Sequence, residues 1–449
     1  MGSHVVTPGV TAFEYAHRRA KLAAKLPKNG IAIIRAAEVK YKAKSVFYEY
    51  HQNPDFYYLT GFNEPGALAV IAKNESDDDY IFHLYVREKD PRSELWQGAR
   101  SGTQAALDVF NADETGDIEQ IKDILPSIVS DASEIFTDVK GLPAAKSAVS
   151  RFFPSMQRDT DALNKTAAIS KIKPLQPLLS GLRVFKSEGE IENMRKAGKA
   201  SGRAFTEAMK HNFTTEKDLY AFLEYQIKIN GCEQLAFVPV VAGGQNALSI
   251  HYVRNDDVLR DGSLVLVDGG GSYGGYVSDI TRTWPVNGKF TDPQRDLYTA
   301  VLNVQRECVG LCCESQDISL DEIHSHAESQ LSKQLTDLGF EFGFSNLTTS
   351  GSHRLSIPTI KELFPHHVGH YVGLDVHDTG SYSRRHKLRK GQCITIEPGI
   401  YVPNDERWPE HFRGIGIRIE DSVCIGGDHP LVLTTEAVKE VNDIEALRP

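Results

Sequence analysis

Residues 263–286 read SLVLVDGGGSYGGYVSDITRTWPV: an apolar run ending in Asp268, a turn holding five glycines, and a β-branched run that begins just after Asp279. Two strand-like runs joined by glycines predict an antiparallel hairpin, which can bring both carboxylates side by side. By the two-residue period of a strand, Leu264, Leu266 and Asp268 share one face, so Asp268 points where apolar neighbours point. A carboxylate on such a face needs a cation. The plainer reading is that both Asp residues are turn formers beside glycine. Gly269 to Gly274 also satisfy G-x-G-x-x-G after a strand, yet the dinucleotide pattern needs a helix to start there. YVSDITRTWPV, with Pro285, reads as a strand, which argues against nucleotide binding.

Downstream, PHHVGHYVGLDVHD carries His366, His367, His370 and His377 within twelve residues. Neither HExxH nor a Cys pair accompanies them, so a zincin or zinc-finger site is excluded. TIEPG places Glu397 just before a Pro-Gly turn. In GIRIED, Glu420 and Arg418 share the face opposite Ile417 and Ile419. Each residue alone has an ordinary explanation as a surface or core group. Jointly, Asp268, Asp279, Glu397 and Glu420 with His370 form a set of hard oxygen donors and one imidazole, each at a strand end or beside a turn. Such a set suits Mn²⁺, Co²⁺ or Zn²⁺, and four negative charges offset two divalent cations. Two metals about 3.5–4 Å apart can share one activated water and clamp the oxygens of a hydrolytic transition state.

The rest of the chain sets the frame. At 449 residues it exceeds what one core organises, and two domains are expected, residues 5–172 and 173–449. Helical spacing over residues 11–26 is followed by apolar blocks at residues 31–34, FYYLTGF ending at Phe62, ALAVIA ending at Ala72 and YIFHLYV ending at Val86. All four blocks read as strands, giving an α/β (α+β) first domain. Helical patterns follow near residues 103–110 and 118–129. KIKPLQPLLS shows no clear period. Ser187 with Glu190 then forms a capping-box pattern opening a long helix, with further helices over about 216–230, 292–314 and 319–338. The 50 basic and 60 acidic residues give a net charge of −10, which disfavours nucleic acid or anionic lipid as a partner. No stretch is long and apolar enough to span a bilayer. The opening Met-Gly-Ser-His reads as a cloning remnant, so a targeting segment is expected to have preceded Val5. The six cysteines lack C-x-x-C spacing and are expected to be reduced and structural.

In this order the residues resemble the pita-bread metallopeptidases, the superfamily of methionine aminopeptidase, prolidase and aminopeptidase P. HYVRNDD (251–257), VLVDGG, SDITRTWPVNGKFTDPQRDLY, GLDVHD, TIEPGIYVP and FRGIGIRIED resemble aminopeptidase P. NPDFYYLTGFNEPG (53–66) resembles that subfamily's non-catalytic, creatinase/prolidase-type N-terminal domain. The resemblance is strongest to the fungal mitochondrial intermediate-cleaving branch. It implies an N-terminal α/β domain, a pita-bread catalytic domain and a metalloaminopeptidase working through a water shared by two divalent ions, Mn²⁺ foremost. Asp268 would hold one ion, Asp279 and Glu420 would bridge both, and His370 and Glu397 would hold the other. His251, His366 and His377 would act on the substrate side, His377 at the oxyanion and Glu397 as proton shuttle. Arg418 and Tyr401 would stand behind these groups. Asp55 and Trp96 match positions that reach the site from a neighbouring subunit, implying a homodimer. The substrates implied are the N-termini of imported proteins, losing one bulky Tyr, Leu or Phe after presequence removal, in the mitochondrial matrix or at the inner-membrane face, with the nucleus a second location. Xaa-Pro cleavage is the alternative, and specificity is expected in loops 341–360 and 380–389. A metal-free binding module or creatinase-type hydrolase is disfavoured because all five ligands are present.

Overall fold

The structure is a computed structural model that describes residues 4–74, 76, 79–138, 172–343 and 358–448. Most of the 341–360 loop lies outside the described residues. The chain folds as two compact units, Met1–Arg183 and Val184–Pro449.

In the first unit a six-stranded mixed sheet runs in the order Ile172–Lys173, Ile135–Phe136, Ile31–Arg35, Leu68–Lys73, Tyr80–Val86, Glu114–Asp117. Ile31–Arg35, Leu68–Lys73 and Tyr80–Val86 pair antiparallel; the outer pairings are parallel. Ile31, Ile33, Leu68, Val70 and Tyr85 pack with Ile121, Leu125 and Val129 of the helix Ile121–Ser130, burying one sheet face.

The FYYLTGF block is not a strand. Pro54–Thr60 is a helix: Asn53 accepts hydrogen bonds from the amides of Asp55 and Phe56, Pro54 occupies the first turn, and Gly61 at φ +69° ends it. The stop and start signals N-P-D and G outweigh the strand preference of the aromatic residues between them. KIKPLQPLLS likewise resolves into the edge strand Ile172–Lys173 and the helix Gln176–Arg183.

The second unit is built from short antiparallel sheets and four long helices. Val240–Gly243, Leu264–Gly269 and Ile280–Pro285 form one sheet, with Asp268 opposite Thr281. Cys393–Ile396, Asp421–Cys424 and Leu431–Val432 form another, and Gly399–Tyr401 pairs with Gly416–Arg418. After the glycines of residues 269–275 come the strands Tyr276–Val277 and Ile280–Pro285 and no helix, so the phosphate-cradling geometry of a dinucleotide site is absent there. The helices Glu188–Met209 and Glu216–Ile229 pack on each other, as do Asp292–Gly310 and Leu320–Asp337. No described helix is long and apolar enough to cross a membrane.

Ser187 caps the first of these helices as its sequence predicts: its side chain accepts from the Glu190 amide, and the Glu190 carboxylate accepts from the Ser187 amide at 2.7 Å. One face of that helix is lined with small residues, Ala197, Gly198, Ser201, Gly202 and Ala204, which lets the C-terminal segment lie directly against it. A Cβ on Gly198 would fall 2.2 Å from the Leu433 carbonyl oxygen.

Alanine in a helix interior normally gains about 1 kcal/mol over glycine. Here the backbone contact reverses the sign. Gly198→Ala should destabilise the second unit by about 1–3 kcal/mol, read as a lower urea midpoint at unchanged m-value.

Candidate metal centre

Two glycines let the expected ligands converge. The turn after Asp268 brings Gly270 so close to residue 278 that a Cβ would sit 1.8 Å from the Ser278 oxygen, which sets Asp279 beside Asp268. Gly369 likewise lies against Thr395, where a Cβ would meet the carbonyl oxygen at 1.9 Å. The histidine segment is thereby held on the strand Cys393–Ile396: the Thr395 amide donates to the His370 oxygen and the Glu397 amide to the Val368 oxygen, both at 2.8 Å.

Asp279, His370 and Glu420 place ligand atoms within 4.8 Å of one another, the one such group among the described residues. His370 Nε2 lies 3.5 Å from both Asp279 Oδ2 and Glu397 Oε1. Its Nδ1 lies 3.1 Å from the Tyr371 carbonyl, which can only accept, so the ring proton is assigned to Nδ1. The Nε2 lone pair therefore faces two carboxylates, an arrangement that repels until a cation stands between them.

Asp268 and Glu420 repeat the same incompleteness. Arg418 Nη2 donates to Asp268 Oδ2 at 2.6 Å, and Thr281 Oγ1 donates to Glu420 Oε2 at 2.6 Å. The other oxygen of each, Asp268 Oδ1 and Glu420 Oε1, is buried without a hydrogen-bond partner. Buried polar atoms are almost always satisfied. Each carboxylate is thus gripped by one oxygen and leaves the other free for a ligand. Burial first, then Asp268 and Glu397, push the Asp279 carboxyl well above its usual range. Burial, then Asp279, Glu397 and Asp268, do the same to Glu420, and burial raises Glu397. A site that opposes ionisation of its own acids this strongly fits divalent cations, whose charge would invert that balance.

Arg418, 1 % exposed, organises the remainder with three arms: Nη2 to Asp268, Nε to Thr281 Oγ1 at 3.0 Å, and Nη1 to the Tyr401 hydroxyl at 2.8 Å. Tyr401 is 2.9 Å from His366 Nε2, and His366 Nδ1 is 2.9 Å from its neighbour's carbonyl at His367. His366 therefore carries its proton on Nδ1 and accepts from Tyr401. Burial, then Arg418, lower its pKa to about 3, so the ring is neutral at working pH. The His377 ring stands edge-on to His370 at 4.4 Å, and burial, followed by His370 and His251, lowers its pKa. His251 is exposed.

Asp55 and Trp96 belong to the first unit. Asp55 is bound to Arg183 at 2.6 Å, and Trp96 is 83 % exposed on the helix Pro91–Gln97. Sequence reasoning missed Thr281 and Thr395. Thr281 relays Arg418 to Glu420, and Thr395 Oγ1 lies 3.2 Å from Glu397 Oε1 while accepting from the His370 amide. Their signal was available: a hydroxyl residue on a buried strand, in register with or two before an expected ligand.

A buried carboxylate and imidazole cluster at converging strand ends suits a metal-dependent hydrolase. The pattern of metallopeptidase family M24 matches residues 192–426, and that of the aminopeptidase P N-terminal domain matches residues 15–136. Intermediate cleaving peptidase 55 of Saccharomyces cerevisiae is 42% identical over 98% of this chain and 84% of its own length. Xaa-Pro aminopeptidase 3 of Homo sapiens is 39% identical, covering 98% and 87%. The crystal structure of Icp55 from Saccharomyces cerevisiae lacking 58 N-terminal residues superposes with a TM-score of 0.87 at 40% identity, covering 99% of this chain and 98% of that one. The chain belongs to metallopeptidase family M24. It is an aminopeptidase P-like, metal-dependent aminopeptidase, with an aminopeptidase P-type N-terminal domain and a pita-bread catalytic domain.

Glu420→Gln separates the two effects at this centre. Metal-stripped, the variant should melt higher than the parent, because a buried carboxyl that folding forces away from its charged form is replaced by a neutral amide. The parent should gain about 2.7 kcal/mol from metal at 100-fold its Kd, and the variant should lose most of that gain in calorimetric scans with and without Mn²⁺.

Proposed function

We propose that the chain removes one bulky N-terminal residue, Tyr, Leu or Phe, from imported mitochondrial proteins once the presequence is gone. The single observation that carries the site assignment is the incomplete coordination just described: Asp268 Oδ1, Glu420 Oε1 and His370 Nε2, all lacking a proton donor. Asp268, Asp279, His370, Glu397 and Glu420 would hold two divalent ions, of which Mn²⁺ fits this oxygen-rich set. Bound there, the ions supply Lewis acidity and lower the pKa of an attacking water.

The chain's own groups do the rest. Glu397, its carboxyl raised by burial, is placed to take a proton and pass it to the departing amine. His377, beside His370 and poised neutral, would donate to the developing oxyanion. His366 is fixed by Tyr401 and its own backbone, so its orientation is set before substrate arrives. His251, exposed near His377, would meet the substrate from the solvent side. The domains are proposed as residues 5–172, non-catalytic, and 173–449, catalytic. A homodimer in which Asp55 and Trp96 approach the partner's site is proposed on the resemblance to aminopeptidase P, and a mitochondrial location on the likeness to the intermediate cleaving peptidases.

Xaa-Pro cleavage is the second reading, favoured by the 39% identity to Xaa-Pro aminopeptidase 3. The two separate on a matched peptide pair, Tyr-Ser-Ser-Lys and Tyr-Pro-Ser-Lys, given to metal-stripped enzyme before and after Mn²⁺, with products read by mass. Release of Tyr should require metal and be about tenfold or more faster from the first peptide, a difference of about 1.4 kcal/mol in the barrier. Preference for the second would assign the enzyme to aminopeptidase P proper.

A further inference from the structure

Cys393 and Cys424 face each other across the ladder between Cys393–Ile396 and Asp421–Cys424. The hydrogen bonds around them fix what kind of pair this is. The Gly391 amide donates to the Ile425 oxygen at 3.0 Å and the Ile425 amide to the Gln392 oxygen at 2.7 Å, while the Cys393 oxygen turns away to accept from the Val372 amide at 3.1 Å. Cys393 and Cys424 therefore occupy a non-hydrogen-bonded position, where opposed Cα atoms are closest, about 4.5 Å. A disulfide takes Cα separations of about 4.4–6.8 Å. That backbone spacing lies within the range a disulfide bridges. Both are free thiols in this structure.

Their surroundings differ from those of the other thiols. Burial pushes Cys232 and Cys308 up to about 12 and Cys312 well above its usual range, the condition of an inert core cysteine. Cys424 moves the other way: a hydrogen bond from Cys393 outweighs burial and is helped by Lys186, Lys390 and the Gly391 amide. Cys393 is raised, by that bond and by burial. Lys186 is itself fixed by Asp378 at 3.0 Å, so a cation stays beside the pair. The strand pairing places one sulfur to attack and the other to resolve.

We propose that Cys393 and Cys424 are a reversible dithiol–disulfide site, closed by a small peroxide. The Cys424 sulfur attacks one peroxide oxygen, the O–O bond breaks, and water leaves a sulfenic acid; the Cys393 sulfur then forms the S–S bond and releases the second water. Two thiols and one H₂O₂ give one disulfide and two waters, with both thiol protons carried off in water. At 0 % and 4 % exposure the pair admits only a small oxidant, and only through local opening of the structure around it. The next residues beyond the far end of the same ladder are Glu397 and Glu420, so closure would staple the strand pair that presents two of the metal-centre carboxylates. The inference does not depend on which peptides the enzyme cleaves.

The full-length reduced protein is treated with near-stoichiometric H₂O₂, denatured in iodoacetamide and digested without reductant for mass mapping. The expected result is one cross-linked peptide joining Cys393 to Cys424, two hydrogens lighter than the thiol pair, four of the six cysteines alkylated, and full return to six after dithiothreitol. In Cys393→Ser, the Cys424 sulfenic acid should instead be trapped by dimedone. Six alkylated cysteines after peroxide, a link between other cysteines, or sulfinic acid at Cys424 without a link would each overturn the proposal. The wild-type map decides this even if the variant fails to fold.

Discussion

Arg418 is the interaction on which the site depends. Four carboxylates gathered in a buried pocket repel one another, and burial alone disfavours each charge. A single guanidinium, with donors fixed in a planar fork, reaches Asp268 directly, Glu420 through Thr281, and His366 through Tyr401. Lysine could supply the charge, but its three donors radiate from one nitrogen and could not span these three acceptors as a planar fork does. Arg418 therefore does more than reduce the net charge. It chooses which oxygen of Asp268 is occupied, and through Thr281 which oxygen of Glu420, leaving the other of each pair bare.

A second buried arginine braces the strands from behind. Arg282, on the strand that pairs with Asp268's, donates to the Glu420 carbonyl, to Asp421 Oδ1 at 2.8 Å and to the Ala437 oxygen at 2.9 Å. Asp421 also receives Gln305, Lys439 and Thr434, and Arg282 with Lys439 outweighs burial to hold its carboxyl down at about 2. Glu420, just before the strand, and Asp421, its first residue, thus meet opposite fates. Glu420 faces like charges and is pushed up, whereas Asp421 faces cations and is pushed down. Strand alternation turns one carboxylate into the pocket and its neighbour into a structural ion-pair network.

The parts of this arrangement legible in the sequence are those encoded locally. The Asp268–Asp279 hairpin follows from a glycine turn between two β-branched runs, and the Ser187–Glu190 cap from a four-residue pattern. Strand period alone sets Arg418 and Glu420 on one face. FYYLTGF has the composition of a strand, but its flanking cap residues Asn53 and Gly61 make it a helix. The helix Gln176–Arg183 has too few turns to show a period; it packs within the first compact unit, where Arg183 holds Asp55. Partners separated by more than a hundred residues, such as Thr281 with Glu420 or Lys186 with Asp378, leave no local trace.

That Asp55 is bound to Arg183 also bears on what the first unit can contribute. A carboxylate that reaches into a neighbouring site must be free to do so, and Asp55 holds a 2.6 Å ion pair with a nearly buried arginine. Releasing it would give up that charge-assisted bond to a nearly buried arginine. Trp96 carries no such restraint: the helix Pro91–Gln97 buries none of its residues, and Leu95 and Trp96 both project into solvent. Of the two residues that the family likeness sends toward a partner subunit, the tryptophan is the one whose present surroundings would gain by burial, at roughly 25 cal/mol per Å² of apolar surface covered.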